Sequence, residues 1–187
     1  ALVLTPTREL AAQISESAAT YGAHLPLTHT VIYGGVNQNK QVNAIRRGID
    51  VLVACPGRLL DLMNQGIVDL RGIEYFVLDE ADRMLDMGFQ AALDSIVDQT
   101  PSRRQTLLFS ATFPEQIRSI AERVMHKPEM VQVASTHDAT SIRQHFYRVS
   151  DNKQRRIALR LLLMQYRPES TLVFCNTKLE TREVADE

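Results

Sequence analysis

Three carboxylates fall within four residues, Asp79-Glu80-Ala81-Asp82, directly after the apolar, β-favouring run Tyr75-Phe76-Val77-Leu78. An Asp at the tip of a buried strand has a rigid base and a fixed direction. That suits a hard cation such as Mg²⁺, which takes one or two carboxylates together with phosphates and waters. Glu80 beside it can orient or deprotonate an attacking water. Asp82 stands too far along the turn for an obvious metal ligand and is placed to hydrogen-bond hydroxyls such as Ser110 and Thr112. The plainer alternative is that these acids cap a helix N-terminus.

Four more polar or glycine clusters follow apolar runs in the same way. Ala1–Leu4 leads into Thr5-Pro6-Thr7-Arg8-Glu9, and His29–Tyr33 into Gly34-Gly35. Val51–Ala54 leads into Cys55-Pro56-Gly57-Arg58, and Thr106–Phe109 into Ser110-Ala111-Thr112. Arg8 and Arg58 offer planar donor forks for phosphate. Gly34, Gly35 and Gly57 let a backbone approach closely and present N–H groups. Taken singly, these clusters are turn chemistry. If the runs are parallel strands, all five lie on the one edge where open α/β sheets bind ligands, and together they make a composite site.

The elements that must hold this site alternate between strand and helix. The strands expected are Ala1–Leu4, His29–Tyr33, Val51–Ala54, Tyr75–Leu78, Thr106–Phe109 and Met130–Val133. Between them, Leu10, Ile14, Ala18, Tyr21 and Leu25 recur at helical spacing. Further helices are expected over Val42–Arg47 and Leu59–Gln65, through Phe89, Leu93, Ile96 and Val97, and after Pro114 with Ile117, Ile120, Ala121 and Val124 inward. This alternation predicts an α/β fold, a mainly parallel sheet with helices on both faces. Ala134–Ser141 is small and polar and reads as a linker between residues 1–133 and a second α/β unit over 142–187. That unit should open with a strand at Gln144–Val149, a helix over Lys153–Tyr166 and a strand at Thr171–Phe174. The chain begins as if within a strand and ends as if within a helix, so it is expected to be a fragment.

Composition sets limits. The 187 residues are 44% hydrophobic and carry a net charge of −1, so a nucleic-acid partner must be held by a local patch rather than a global field. Lys occurs only at positions 40, 127, 153 and 178 among 21 basic residues; the others are Arg. The two cysteines and five histidines have no metal-ligand spacing, and a reducing compartment fits better than a disulfide framework. No apolar run is long enough for a membrane span.

The segment VLDEADRMLDMGF resembles the nucleotide-site motif of DEAD-box ATP-dependent RNA helicases. PTRELAAQ, YGG, PGRLLDL, FSATF and LVFCNTK resemble further motifs of that family, in its order. The resemblance implies two RecA-like domains that clamp ATP and bend single-stranded RNA. It assigns Asp79 to Mg²⁺, through water, and Glu80 to the hydrolytic water. Asp82, Ser110 and Thr112 would couple nucleotide state to RNA grip. Thr7, Arg8, Gly34, Gly35, Gly57 and Arg58 would hold the RNA backbone, and Asn176 and Thr177 would begin the second domain's RNA surface. Phosphate contacts carry no base sequence, so low specificity for single-stranded or short duplex RNA is expected. A cytoplasmic, bacterial-type role among ribosome-assembly or other ribonucleoprotein partners is implied.

Two departures stand out. Cys55 occupies a position where the family usually has Thr, so a hydroxyl donor to phosphate is replaced by a weak thiol, unless Cys55 packs inward as a small hydrophobe. No glycine is followed by Lys, so there is no GxxxxGK[ST] phosphate loop in this chain, and the resemblance implies that the family's later second-domain motifs, including its arginine finger, would lie beyond Glu187. The fragment alone is expected to be inactive. The competing readings are a non-catalytic RNA-binding or scaffold module with a vestigial nucleotide site, and a different P-loop ATPase acting on DNA.

Overall fold

Five of the expected runs form short strands: β1 (Leu2–Leu4), β2 (His29–Ile32), β3 (Val51–Ala54), β4 (Tyr75–Leu78) and β5 (Gln105–Leu108). This is a computed structural model describing residues 1–133 and 143–186; the segment read as a linker, 134–141, lies outside the described residues. The strands make one all-parallel sheet in the order β2-β3-β1-β4-β5. Register brings their last residues into one row: Ile32 pairs with Ala54, Ala54 with Leu4, Leu4 with Leu78, and Leu78 with Leu108. The five polar clusters therefore emerge along a single edge, because parallel strands point their carboxyl ends the same way.

Strand side chains alternate between faces. Leu2, Leu4, Ile32, Leu52, Ala54, Phe76 and Leu78 share the larger core cluster. It is completed by α2 (Asn39–Arg46), α3 (Pro56–Asn64), α4 (Ala81–Asp86), α5 (Gln90–Val97) and α6 (Glu115–Val124), through Val42, Leu59, Leu62, Met84, Leu93, Ile96, Ile117 and Val124. The other face carries Val3, Val31, Val51 and Val53, packed with Ala11 and Ile14 of α1 (Arg8–Tyr21). Helices thus lie on both faces, unequally. Tyr75, on the same alternation as Val77, is half exposed.

The spacing through Leu10, Ile14, Ala18, Tyr21 and Leu25 marks the right helix but runs past its end. α1 stops at Tyr21 with Gly22 as its C-cap, Ala11 is its buried residue, and Tyr21 and Leu25 are exposed. Ala11 lets the helix approach the β-branched valines closely, with Ile14 beside it on the same face.

The chain divides into units Ala1–Val131 and Gln132–Glu187. In the second, α7 (Asn152–Tyr166) and α8 (Lys178–Ala185) are present. Asp151 caps α7 through the Gln154 N–H at 2.7 Å, and Gln154 Oε1 accepts in return from Ser150 N–H. The strands expected at Met130–Val133, Gln144–Val149 and Thr171–Phe174 are not formed. Phe146, Leu172 and Phe174 are exposed there. A helix closes its hydrogen bonds within its own segment, whereas a strand exists only beside another strand, and none of these runs has one among the described residues.

Candidate active site

The acidic turn is built by three strands. β4 continues its ladder one residue beyond Leu78, with Asp79 N–H donating to Leu4 O of β1 at 2.9 Å. The chain then crosses to the other neighbour, and Ala81 N–H donates to Phe109 O beyond β5 at 3.0 Å. Glu80 bridges these anchors in the left-handed region, at φ 51° and ψ 52°, a conformation costly for a residue with a Cβ. Its side chain is exposed and makes no capping bond. Asp79 is half-buried, and its Oδ1 accepts from Glu80 N–H at 3.0 Å. The capping alternative is met only in part: Asp79 and Asp82 each bond the next residue's N–H, and Glu80 bonds none.

The Asp82 carboxylate bonds the Thr112 hydroxyl, as its chemistry suggested, whereas Ser110 meets the Asp82 backbone N–H. Its Oδ2 accepts from Thr112 N–H at 2.9 Å and from the Thr112 hydroxyl at 2.8 Å. Asp82 N–H donates to Ser110 Oγ, and the Ser110 hydroxyl donates to Thr112 O at 2.7 Å. Burial pushes the Asp82 carboxyl up, but donation from the Thr112 hydroxyl and N–H and the Arg83 N–H outweighs it and holds the group below its ordinary value.

Along the same edge, Arg8 lies over the Tyr33 ring at 5.1 Å from its centroid. It is exposed and forms no ion pair among the described residues. Gly35 has φ 77°, a backbone conformation that favours glycine, and a Cβ there would stand 2.9 Å from Arg8 Nη1 and displace that guanidinium. Thr7 is the N-cap of α1, its hydroxyl accepting from Leu10 N–H at 3.3 Å. Gly57 is exposed in the first turn of α3.

Arg58 is turned inward. Its Nη1 donates to Gln41 Oε1 at 3.1 Å and its Nη2 to Val36 O at 3.2 Å, with Asp61 3.8 Å from Nε and the side chain only 12% exposed. Cys55 also faces inward, 8% exposed against Ala11 and Val53, and burial pushes its thiol up to about 11. The expectation that it stands in for a phosphate-facing hydroxyl is corrected: the pleat that sends Ala54 to the larger cluster sends Cys55 to the smaller one. In the second unit, Thr177 caps α8 by accepting from Glu180 N–H at 3.1 Å, while Glu180 Oε2 accepts from Asn176 N–H.

Sequence reasoning missed Gln41, a buried polar side chain bonded to Tyr33 O at 3.1 Å as well as to Arg58. Nothing in its local pattern distinguishes it from a surface residue of α2. A concavity of about 710 Å³ lined by Gly66, Asp69, Arg71, Asp98 and Thr100 belongs to the loops that precede β4 and β5, at the opposite edge.

A parallel sheet whose carboxyl edge gathers an acidic strand tip, a carboxylate–hydroxyl clasp and glycine turns beside an arginine has the architecture of a RecA-like domain. The sequence pattern of the DEAD/DEAH box helicase family matches residues 1–120, and the chain belongs to that family. It is 43% identical over its whole length to DEAD-box ATP-dependent RNA helicase CshA of Geobacillus kaustophilus and to ATP-dependent RNA helicase DbpA of Escherichia coli, spanning 40% and 41% of those proteins. The chain thus covers about two-fifths of these curated relatives. Among solved structures, a hypothetical ATP-dependent RNA helicase from Sulfolobus tokodaii matches 68% of the chain with TM-score 0.65 and 42% identity, over 38% of its own length. The yeast DEAD-box splicing factor Prp28 matches 68% with TM-score 0.63 and 34% identity, over 30% of its own length.

Proposed function

We propose that this chain is the central part of an ATP-dependent RNA helicase, in which RNA-stimulated ATP hydrolysis drives duplex unwinding or ribonucleoprotein remodelling. The observation that carries the proposal is the acidic turn: Asp79 and the exposed Glu80 stand at the strand tips, and Asp82 ties that turn to Ser110 and Thr112. Residues 1–133 would form most of a first domain, 134–141 a linker and 142–187 the start of a second.

The donor set fits Mg²⁺ held with ATP. One Asp79 oxygen is engaged by a backbone N–H, and among the described residues no three acidic, His or Cys side chains converge so as to hold a metal ion by themselves, so most positions would fall to phosphate and water. The cation would neutralise phosphate charge. Glu80 would orient the water and accept its proton. Asp82, Ser110 and Thr112 would transmit nucleotide state. Thr7, Arg8, Gly34, Gly35 and Gly57 would line the path of an RNA backbone, and Asn176 and Thr177 would add contacts from the second domain. RNA bound through phosphate would be read with low sequence specificity. Both cysteines are free, which accords with a reducing, cytoplasmic setting, and ribosome-assembly or other ribonucleoprotein partners would follow from the helicase reading.

The test is ATP turnover with and without RNA in the complete protein and its Glu80→Gln variant. Loss of turnover with retained ATP and RNA binding is expected. Turnover at near-native rate in the variant removes Glu80 from its role, and RNA binding by a parent that never hydrolyses ATP favours a scaffold. This chain by itself, which contains no GxxxxGK[ST], is expected to show no RNA-stimulated turnover.

A further inference from the structure

We propose that Gln41 is a positioning residue for the nucleic-acid track, holding the Gly34-Gly35 turn in the shape that presents its N–H groups without touching the ligand. The inference rests on the RNA-binding reading of that turn. The two carbonyls flanking the glycines are both held. Gln41 Nε2 donates to Tyr33 O at 3.1 Å, and Arg58 Nη2 donates to Val36 O at 3.2 Å. Gln41 Oε1 accepts from Arg58 Nη1 at 3.1 Å, so the two holders are bonded to each other.

A glycine pair has no side chains to pin it, and its freedom must be removed before it can offer a fixed row of donors. Gln41 is only 8% exposed, and a buried amide is costly unless both its ends are bonded, as they are here. The brace also unites separate parts of the track. Tyr33, gripped at its carbonyl by Gln41, carries Arg8 over its ring, and Arg58 follows Gly57 at the neighbouring strand end. One side chain on α2 thereby ties the turn after β2 to the first turn of α3.

The experiment compares the complete protein with its Gln41→Met and Gln41→Glu variants. Its readouts are binding of a fluorescent single-stranded RNA decamer over a salt series, hydrogen exchange of backbone amides, and melting temperature. Gln41→Met should bind RNA roughly three- to tenfold more weakly, the loss of one or two hydrogen bonds. The salt slope should not change, since no cation is removed. Exchange should accelerate at Gly34, Gly35 and Val36 and not within β2 and β3. Gln41→Glu keeps the size and the Arg58 contact but offers Tyr33 no donor at neutral pH, so intermediate affinity is expected; it carries the test if Gln41→Met does not fold. Wild-type affinity in both variants overturns the proposal, as does acceleration spread through β2 and β3 with no recovery in Gln41→Glu. Unchanged exchange at Gly34–Val36 overturns the brace whatever the RNA result. A complete wild-type protein without salt-dependent RNA binding overturns the RNA reading and this inference with it.

Discussion

Asp82 and Thr112, thirty residues apart, are joined by two hydrogen bonds to one oxygen: Oδ2 accepts from both the N–H and the hydroxyl of Thr112, at 2.9 and 2.8 Å. The first turn of α4 and the loop after β5 therefore move as one piece. Because Asp79 and Glu80 immediately precede that turn, a shift of the Ser110–Thr112 loop is felt at the acidic residues, and the reverse. A coupled pair of this kind is what an enzyme needs to make hydrolysis depend on a second ligand.

Thr112→Val tests the clasp. It removes the hydroxyl and leaves the N–H, so at pH 7 the variant should be less stable by about 0.5–1.5 kcal/mol. The Asp82 carboxyl is lowered in the fold, so its stabilisation is present above its ordinary value of 3.8 and is lost as pH falls through the lower folded value. The gap between wild type and Thr112→Val in urea melts should therefore narrow as the pH is taken below about 4. An equal gap at neutral and acid pH would show that the carboxylate charge contributes nothing.

Glu80 should show a conflict between stability and chemistry. Its left-handed backbone strains any residue with a Cβ by roughly 1–2 kcal/mol, and glycine relieves that at some cost in unfolded-state entropy. Glu80→Gly should raise stability by about 0.5–1 kcal/mol while abolishing hydrolysis in the complete protein. Glu80→Gln should abolish hydrolysis without the gain. Chemical denaturation of the three proteins side by side is the check, and a destabilised Glu80→Gly would mean the side chain supports the turn.

Cys55→Thr should lower the melting temperature and leave RNA affinity unchanged. The thiol packs against Ala11 and Val53, so the hydroxyl would be buried without an evident partner, at about 1–3 kcal/mol. With the thiol pushed up to about 11, alkylation near pH 8 should modify the partly exposed Cys175 well before Cys55. Tighter RNA binding by Cys55→Thr would return the side chain to the nucleic-acid face.

The row of strand ends was legible because it follows from one inference: alternating strands and helices make parallel strands, and parallel strands end on one edge. The bond of Asp82 to Thr112 was legible because a carboxylate and a hydroxyl at neighbouring strand ends have few other partners, whereas the Ser110 hydroxyl donates to a backbone carbonyl, Thr112 O. Gln41 was not, since one of its partners is the backbone carbonyl of Tyr33, which no side-chain pattern records. α4 was missed because six residues give too little periodicity to set against an acid-rich turn. The strands at Gln144–Val149 and Thr171–Phe174 were read from local β preference, but that preference forms a strand only where a neighbour supplies the other half of each hydrogen bond.

Arg8 and Arg58 look alike in sequence, each beside a turn at a strand end, and the structure separates them. Arg8 is exposed over Tyr33, whereas Arg58 gives its donors to Gln41 and Val36 and is 12% exposed. Arg8→Ala should weaken RNA binding and make the salt dependence shallower, by about 0.7 for each phosphate of a single strand that is no longer neutralised. Its stability should stay within roughly 0.5 kcal/mol of wild type, as for most surface changes. Arg58→Ala should lower stability by about 1–3 kcal/mol by leaving Gln41 Oε1 and Val36 O without their donor, and should weaken RNA binding with the salt slope unchanged. Salt titrations and urea melts on both variants decide the matter. A shallower slope with unaltered stability in Arg58→Ala would mean that Arg58 leaves its internal partners and reaches phosphate itself.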